Sequence, residues 1–213
     1  MLPRILAPLI GLRLPRLFLG LALAGVGIAL VVRGKLGLGP WDVLHQGISE
    51  RTGIPIGMVV VGVGFGVLLL WLPLRQRLGV GTVANALVVG TVLDLALLVI
   101  PELAGTAIHW VLLVGGTVAV GLGSGLYLSA ELGPGPRDGL MTNLAARGPS
   151  VRLVRTGIEL TALALGWLLG GTVGIGTLVF ALSIGPLVQF FLDRLTPVAG
   201  VVEPRPAVPV AVS

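Results

Sequence analysis

The stretch GLGPWDVLHQG, residues 37–47, lies between two long apolar segments, and a related stretch, GPGPRDGLMTN, follows 96 positions later at residues 133–143. Both contain the pattern Gly-x-Gly-Pro-x-Asp. Proline is well tolerated at the first position of a helix, because the N–H that it lacks would have no partner within the helix. An aspartate in the first turn is favoured by the helix dipole. Each stretch therefore predicts a short helix. In the first, Gly39 is the cap, Pro40 the first residue and Asp42 the acid of the first turn. In the second, Gly135, Pro136 and Asp138 have the same roles.

The chain as a whole is too apolar for a soluble protein. Of its 213 residues, 55% are hydrophobic and 11% are charged, and the mean hydropathy is +1.05. A soluble domain has about 25% charged residues. The composition therefore predicts an integral membrane protein.

Other chemistry is poorly supported by the composition. The chain has no cysteine and only two histidines, His45 and His109. Thiol chemistry and disulfides are thereby excluded, and we expect neither a metal nor a cofactor. The net charge is +5. In a membrane protein an excess of Lys and Arg mainly indicates the orientation of the spans, so we expect no nucleic-acid partner.

Six segments are long and apolar enough to be expected to cross a bilayer, which takes about 20 residues. They are residues 16–33, 57–74, 81–100, 109–130, 154–170 and 175–192. The first has no convincing cleavage site, so we interpret it as a retained span and not as a signal peptide. The predicted fold class is all-α: a polytopic membrane protein with one transmembrane domain over residues 1–195. Residues 196–213 are expected to form a disordered tail.

The distribution of basic residues predicts the orientation of these spans. With six spans and a cytoplasmic N-terminus, eleven of the fourteen Lys and Arg residues lie on the cytoplasmic side. Only Arg33, Lys35 and Arg51 lie outside. Because cytoplasmic loops carry an excess of Lys and Arg, we expect both termini in the cytoplasm.

The two halves of the chain align with each other. At an offset of 96 the two Gly-Pro-x-Asp stretches coincide and Trp71 falls on Trp167. At an offset of 95, VGTVANALVVG (80–90) falls on IGTLVFALSIG (175–185). Repeat 1 then covers about residues 16–102 and repeat 2 about residues 109–195, with three spans each. Because three is odd, we expect the second repeat to be inverted relative to the first.

The segments after Pro40 and Pro136 are too short to span a membrane. We expect each to lie at the interface or to enter the bilayer as a re-entrant helix. Their aspartates could serve only as helix-start residues, or could also face a substrate or a proton.

Ionisable residues within the spans are further candidates, because a charge near the bilayer centre costs at least about 2.5–3.5 kcal/mol. Asp94 lies in the third span and could instead reach interfacial water. Arg155 and Glu159 are spaced to pair on one face of the fifth span, where they could face a cavity or anchor the inner end. With Asp42 and Asp138, these residues are the candidates for binding a substrate or a proton.

Several stretches together carry a family resemblance. They are GLGPWDVLHQGISERTGIPIG, GVGTVANALVVGTVLDL, GPGPRDGLMTNLAAR, VRTGIEL and GWLLGGTVGIGTLVFALSIGP, within about residues 16–195. They resemble the YczE/YyaS/YitT family of bacterial membrane proteins. The resemblance implies a multi-pass protein in the lipid bilayer of the bacterial cytoplasmic (inner) membrane, and it implies no particular biochemical activity.

The expected function follows from the inverted repeat. Gly- and Pro-interrupted segments at matching places in two inverted halves are the best sequence indication of a transporter's substrate site. We therefore expect a small secondary transporter of an unknown small solute, working by alternating access. The alternative is a non-transport membrane protein that assembles with or regulates another membrane or biosynthetic system. No constellation of residues predicts an enzyme, and the small size is compatible with a homodimer.

Overall fold

The computed structural model describes residues 3–74, 76, 78–148 and 150–196, and all regular structure in these residues is α-helical. The eight helices are α1 Pro3–Gly34, α2 Pro40–Thr52, α3 Ile56–Leu74, α4 Val80–Val99, α5 Thr106–Leu128, α6 Pro136–Ala145, α7 Val151–Leu168 and α8 Ile175–Leu195. The tail that we predict to be disordered, residues 196–213, lies outside the described residues except for residue 196.

Five of these helices are long and apolar enough to cross a membrane: α1 from Leu12 onwards, α3, α4, α5 and α8. Helix α7 covers most of the fifth predicted span, but its 18 residues include Arg152, Arg155 and Glu159. The all-helical, multi-pass class is thus confirmed, while the count of six spans stays a prediction.

The first helix is longer than the predicted first span. It begins at Pro3 and continues through Pro8 and Pro15 to Gly34. A proline inside a helix removes one backbone hydrogen bond and bends the helix, but does not have to end it.

Helices α1 and α5 form the centre of the fold and run antiparallel. Gly20 packs against Gly123, and Gly27 packs against Gly116. A methyl group on Gly27 would lie 2.8 Å from the carbonyl oxygen of Gly116, so only glycine permits this approach. Around this pair, α4 packs on α1, α8 packs on α5, and α3 packs on α4.

The short helices α2 and α6 both pack on the outer helices α3 and α7. Helix α2 lies mainly against α7 and also against α3, and α6 lies against α3 and α7. The packing against α3 is fixed by Trp71, whose indole N–H donates to the Pro136 carbonyl at 3.1 Å. Each short helix is thereby held against α3 and α7.

The linkers that precede α2 and α6 have the same backbone conformation. Lys35 and Glu131 both adopt left-handed backbone angles, with φ of 52° and 54°, which are uncommon for residues other than glycine. Two residues later, Gly37 and Gly133 have φ of 112° and 121°. In each linker an unfavourable residue conformation is followed at the same spacing by a glycine with positive φ. This similarity indicates that both linkers are held in place by their surroundings.

Each linker is tied to the start of a long helix in the other half. The backbone N–H of Gly176 on α8 donates to the Leu36 carbonyl at 2.7 Å. The N–H of Gly81 on α4 donates to the Leu132 carbonyl at 2.8 Å. These bonds attach each linker to the other half of the chain.

Candidate substrate-binding site

The two short helices begin with nearly identical geometry. Gly39 caps α2 with φ −60° and ψ 154°, and Gly135 caps α6 with φ −61° and ψ 158°. In both helices proline is the first residue, and Asp42 or Asp138 lies in the first turn. The local sequence therefore accounts for both helix starts.

Both helix starts open into one cavity of about 320 Å³. Residues from all of the helices line it, including the motif residues Gly39, Pro40, Trp41 and Asp42 of the first half and Gly135, Pro136, Arg137 and Asp138 of the second. Arg155, Glu159 and Gln189 line the same cavity. Four of the five predicted binding residues thus share one site.

Arg137 is the residue that joins the two short helices. Its guanidinium lies 4.8 Å from the centre of the Trp41 ring, close enough for a cation–π contact. One of its terminal nitrogens lies 3.1 Å from Nε2 of His45. Because arginine can only donate, Nε2 of His45 accepts this bond.

This contact fixes the state of His45, which is completely buried. With Nε2 as acceptor, the ring proton is on Nδ1 and points to Oδ1 of Asp42, 3.3 Å away. Burial, followed by the charge of Arg137, lowers the pKa of His45 to about 4. His45 is therefore neutral at physiological pH and connects Asp42 to Arg137.

The matching acids of the two halves differ in exposure. Asp42 is only 5% exposed, whereas Asp138 is exposed even though Oδ2 accepts a hydrogen bond from the Tyr127 hydroxyl at 2.9 Å. The cavity is therefore open on the side of Asp138 and closed around Asp42.

The predicted pair on α7 is confirmed. Nε of Arg155 lies 2.9 Å from Oε1 of Glu159, four residues later on the same face of the helix. Because both residues line the cavity, the pair borders the site.

Asp94, the fifth predicted binding residue, lies outside the cavity. Its Oδ1 accepts the N–H of Gly57 at 2.7 Å, and its Oδ2 accepts the N–H of Met58 at 3.0 Å. These are free N–H groups in the first turn of α3, which a carboxylate satisfies well. Asp94 is not among the residues that line the cavity, and it acts as a cap for α3.

Four residues of the site were missed from the sequence. They are Trp41, His45, Tyr127 and Arg137, and three of them lie within the repeated motifs. The missed signal is that Arg137 takes the place of Trp41 at the variable position of Gly-Pro-x-Asp. The described residues contain no group of His, Asp and Glu side chains that could hold a metal ion.

The fold and the cavity define a multi-pass helical membrane protein with a polar site between its two halves. The chain belongs to a family of unknown function, DUF6198, whose model matches residues 12–193.

Three relatives are similar to the chain over most of their length. An uncharacterized protein of Haemophilus influenzae is 40% identical over 178 residues, which cover 83% of this chain and 82% of the relative. The uncharacterized membrane protein YczE of Bacillus subtilis is 34% identical over 184 residues, covering 83% and 84%. The uncharacterized protein YyaS of the same species is 28% identical over 182 residues, covering 82% and 89%. The resemblance to YczE and YyaS is thus confirmed. No solved structure matches the chain.

Proposed function

We propose that this protein is a small secondary transporter, built from two inverted repeats, that binds a small polar solute in the central cavity. One observation carries the proposal: the Gly-Pro-x-Asp helix starts of the two halves open into the same cavity. In inverted-repeat transporters the substrate site lies between the halves, where helix N-termini face the solute.

The exchange of contacts between the halves supports the inverted repeat. The pairs Gly20–Gly123 and Gly27–Gly116 convert into each other when 96 is added to one residue and subtracted from the other. The backbone bonds of the two linkers are exchanged in the same way. The bond from Gly176 to Leu36 becomes the bond from Gly81 to Leu132 when 96 is added to the linker residue and 95 is subtracted from the residue of the long helix. Such an exchange is expected when a two-fold axis relates the two halves. Because α1 and α5 are antiparallel, this axis is expected to lie in the membrane plane.

The polar groups of the cavity support the binding of a solute. The indole N–H of Trp41 is buried and has no hydrogen-bond partner among the described residues, so it can donate to a ligand. The carboxylate of Asp138 is accessible from the open side. A helix N-terminus attracts negative charge, while Asp42 and Asp138 attract positive charge. The site therefore suits a small solute with both donor and acceptor groups, and an accessible aspartate could exchange a proton.

The predicted orientation gives the direction of the opening. The Lys and Arg distribution puts α6 and Asp138 on the cytoplasmic side of the bacterial inner membrane. In the described conformation the cavity would then be open to the cytoplasm.

Transport is tested in two steps. A deletion strain is compared with its parent for the metabolite that accumulates, and flux of that metabolite is then measured with the purified protein in vesicles. Asp42→Asn and Asp138→Asn should each abolish flux, while Glu50→Gln, on the exposed end of α2, serves as the control. Wild-type flux in both aspartate variants would contradict the proposal.

The alternative, an assembly or regulatory partner of another membrane system, needs no water-accessible path. Because the chain has no cysteine, Asp42→Cys and Asp138→Cys each introduce a single labelling site. Labelling by aqueous reagents from opposite sides of the membrane supports transport. Two cysteines that are unreactive from both sides would favour the alternative.

A further inference from the structure

The helices α3 and α4 pack against each other, whereas the corresponding helices α7 and α8 are separated. Helix α3 packs along α4, whereas α7, the counterpart of α3, packs on α2 and α6 rather than along α8. Along α4 the cavity ends at Val89, but along α8 it continues to Val188 and Gln189. At the offset of 95, Gln189 is the counterpart of Asp94.

The closed pair is held by a cap and by a close backbone approach. The carboxylate of Asp94 accepts the N–H groups of Gly57 and Met58 at the start of α3. Gly57 and Gly90 lie so close that a Cβ atom on either would collide with the carbonyl oxygen of the other. Leu93, next to Asp94, is fully buried. At this end, α3 and α4 are therefore in direct contact.

The corresponding positions of the other half are free of such contacts. Leu153, the counterpart of Gly57, is 68% exposed, and Gln189 is exposed too. Neither Gly185 nor Gly157 has any atom within 4 Å of the position where a Cβ would lie. Gly185 corresponds to Gly90 and Gly157 to Val61, which contacts Gly90. Each of these two helices thus has a glycine that makes no close contact in the described conformation.

We propose that the two helix pairs are the two gates of an alternating-access cycle, and that Asp94 and Gln189 are their latches; the proposal rests on the proposed transport function. In the described state Asp94 latches α4 onto the start of α3. In the opposite state α7 closes on α8, and Gln189 accepts N–H groups at the start of α7 while Asp94 releases α3. At present Ser150 caps that start by accepting the N–H of Leu153 at 3.3 Å.

The difference between the two latches sets the resting state. A carboxylate at a helix N-terminus is stabilised by the helix dipole as well as by its hydrogen bonds, whereas an amide has only the hydrogen bonds. The Asp94 gate is therefore the tighter one, and the gate at Gln189 stands open at rest.

The test measures from which side the cavity can be reached. Ser124 lines the cavity, so Ser124→Cys in the cysteine-free chain reports access to a membrane-impermeant maleimide applied to either face of oriented vesicles. Helix caps typically change an equilibrium by about 2- to 30-fold. Asp94→Gln should raise labelling from the Asp94 side relative to the other side by a factor in this range, and Gln189→Asp should do the same. The combined exchange Asp94→Gln/Gln189→Asp should reverse which side labels faster.

Gln189→Asp keeps the test interpretable if Asp94→Gln fails to fold, because Gln189 is exposed and its side chain bonds only to Asp193 on the same helix. A second measurement follows closure directly. Leu153→Cys and Gln189→Cys occupy the positions that correspond to the contacting pair Gly57 and Asp94, so they should form a disulfide that blocks labelling from the open side.

The matched control pair is Leu165→Cys with Leu182→Cys. These side chains are exposed, and so are their counterparts Leu69 and Leu87 in the closed half, so no disulfide should form.

An unchanged labelling ratio in Gln189→Asp, together with no disulfide between positions 153 and 189, would overturn the gate assignment. Neither readout needs a substrate, so this failure is distinct from failure of the transport function, which the flux of the Asp42 and Asp138 variants reports.

Discussion

The guanidinium of Arg137 on α6 lies 3.1 Å from Nε2 of His45 on α2, and this contact joins the two halves across the cavity. The same guanidinium lies on the Trp41 ring, and Asp42 completes the chain through Nδ1 of His45. Removing one member of such a network leaves a buried polar group without its partner, which costs stability. Loss of one member should therefore affect both the site and the fold.

The first prediction concerns Arg137. Arg137→Ala leaves the buried Nε2 of His45 without a donor, which should lower the free energy of unfolding by about 1–3 kcal/mol. Flux should fall at least to the level of the Asp42→Asn variant. Thermal unfolding in detergent measures the first effect, with Arg147→Ala, which is exposed after the end of α6, as the control. Equal unfolding temperatures for both variants would contradict the bridging role.

The second prediction concerns the pH dependence of stability. The pKa of His45, on α2 and outside the five apolar spans, is lowered from 6.5 to about 4 in the fold. Below pH 6.5 the unfolded chain binds a proton at this residue that the folded chain does not, so stability falls as the pH falls. Between pH 7.5 and 5 the loss should be about 2 kcal/mol.

The measurement compares unfolding of the wild type and of His45→Gln from pH 7.5 to 5. The variant has no titrating group at this position, so its stability should change less over this range. Its neighbours Asp42 and Arg137 do not weaken the comparison, because both remain in both proteins. Parallel curves for the two proteins would show that His45 is not the group responsible.

What could be predicted from the sequence is mainly local. The starts of α2 and α6 follow from the backbone chemistry of Gly-Pro, which needs no tertiary partner. The pairing of Arg155 with Glu159 follows from helical spacing alone. The apolar spans follow from hydropathy, except where α7 mixes charged and apolar residues.

What could not be predicted depends on contacts between distant segments. Asp94 was predicted as a site residue because an acid in a span is costly, but its partners are backbone N–H groups on another helix, which no sequence pattern reveals. The role of Arg137 depends on His45, which is 92 positions away. The difference between the halves was also hidden, because a repeat in sequence predicts equal packing and cannot show that one helix pair is parted.

The third prediction uses the matching tryptophans. Trp71 is 1% exposed and donates to Pro136, whereas Trp167 is 66% exposed. Trp71→Phe loses this hydrogen bond and leaves a gap beside Gly139, so it should lower the free energy of unfolding by about 1–3 kcal/mol. Trp167→Phe should change it by less than about 0.5 kcal/mol. Thermal unfolding of both variants measures the difference, and equal losses would mean that the two halves pack alike.

The last prediction concerns the matching glycines of the two helix pairs. In Gly90→Ala the added methyl group meets the carbonyl oxygen of Gly57 and lies 2.8 Å from Cγ2 of Val61. Helices α3 and α4 must then separate, which should cost about 1–3 kcal/mol of stability. In Gly185→Ala the methyl group meets no atom within 4 Å, and alanine favours a helix over glycine by up to about 1 kcal/mol. Unfolding in detergent should therefore show a loss for the first variant and no loss for the second. A loss of equal size in Gly185→Ala would mean that α7 and α8 are packed together in the resting protein, as α3 and α4 are.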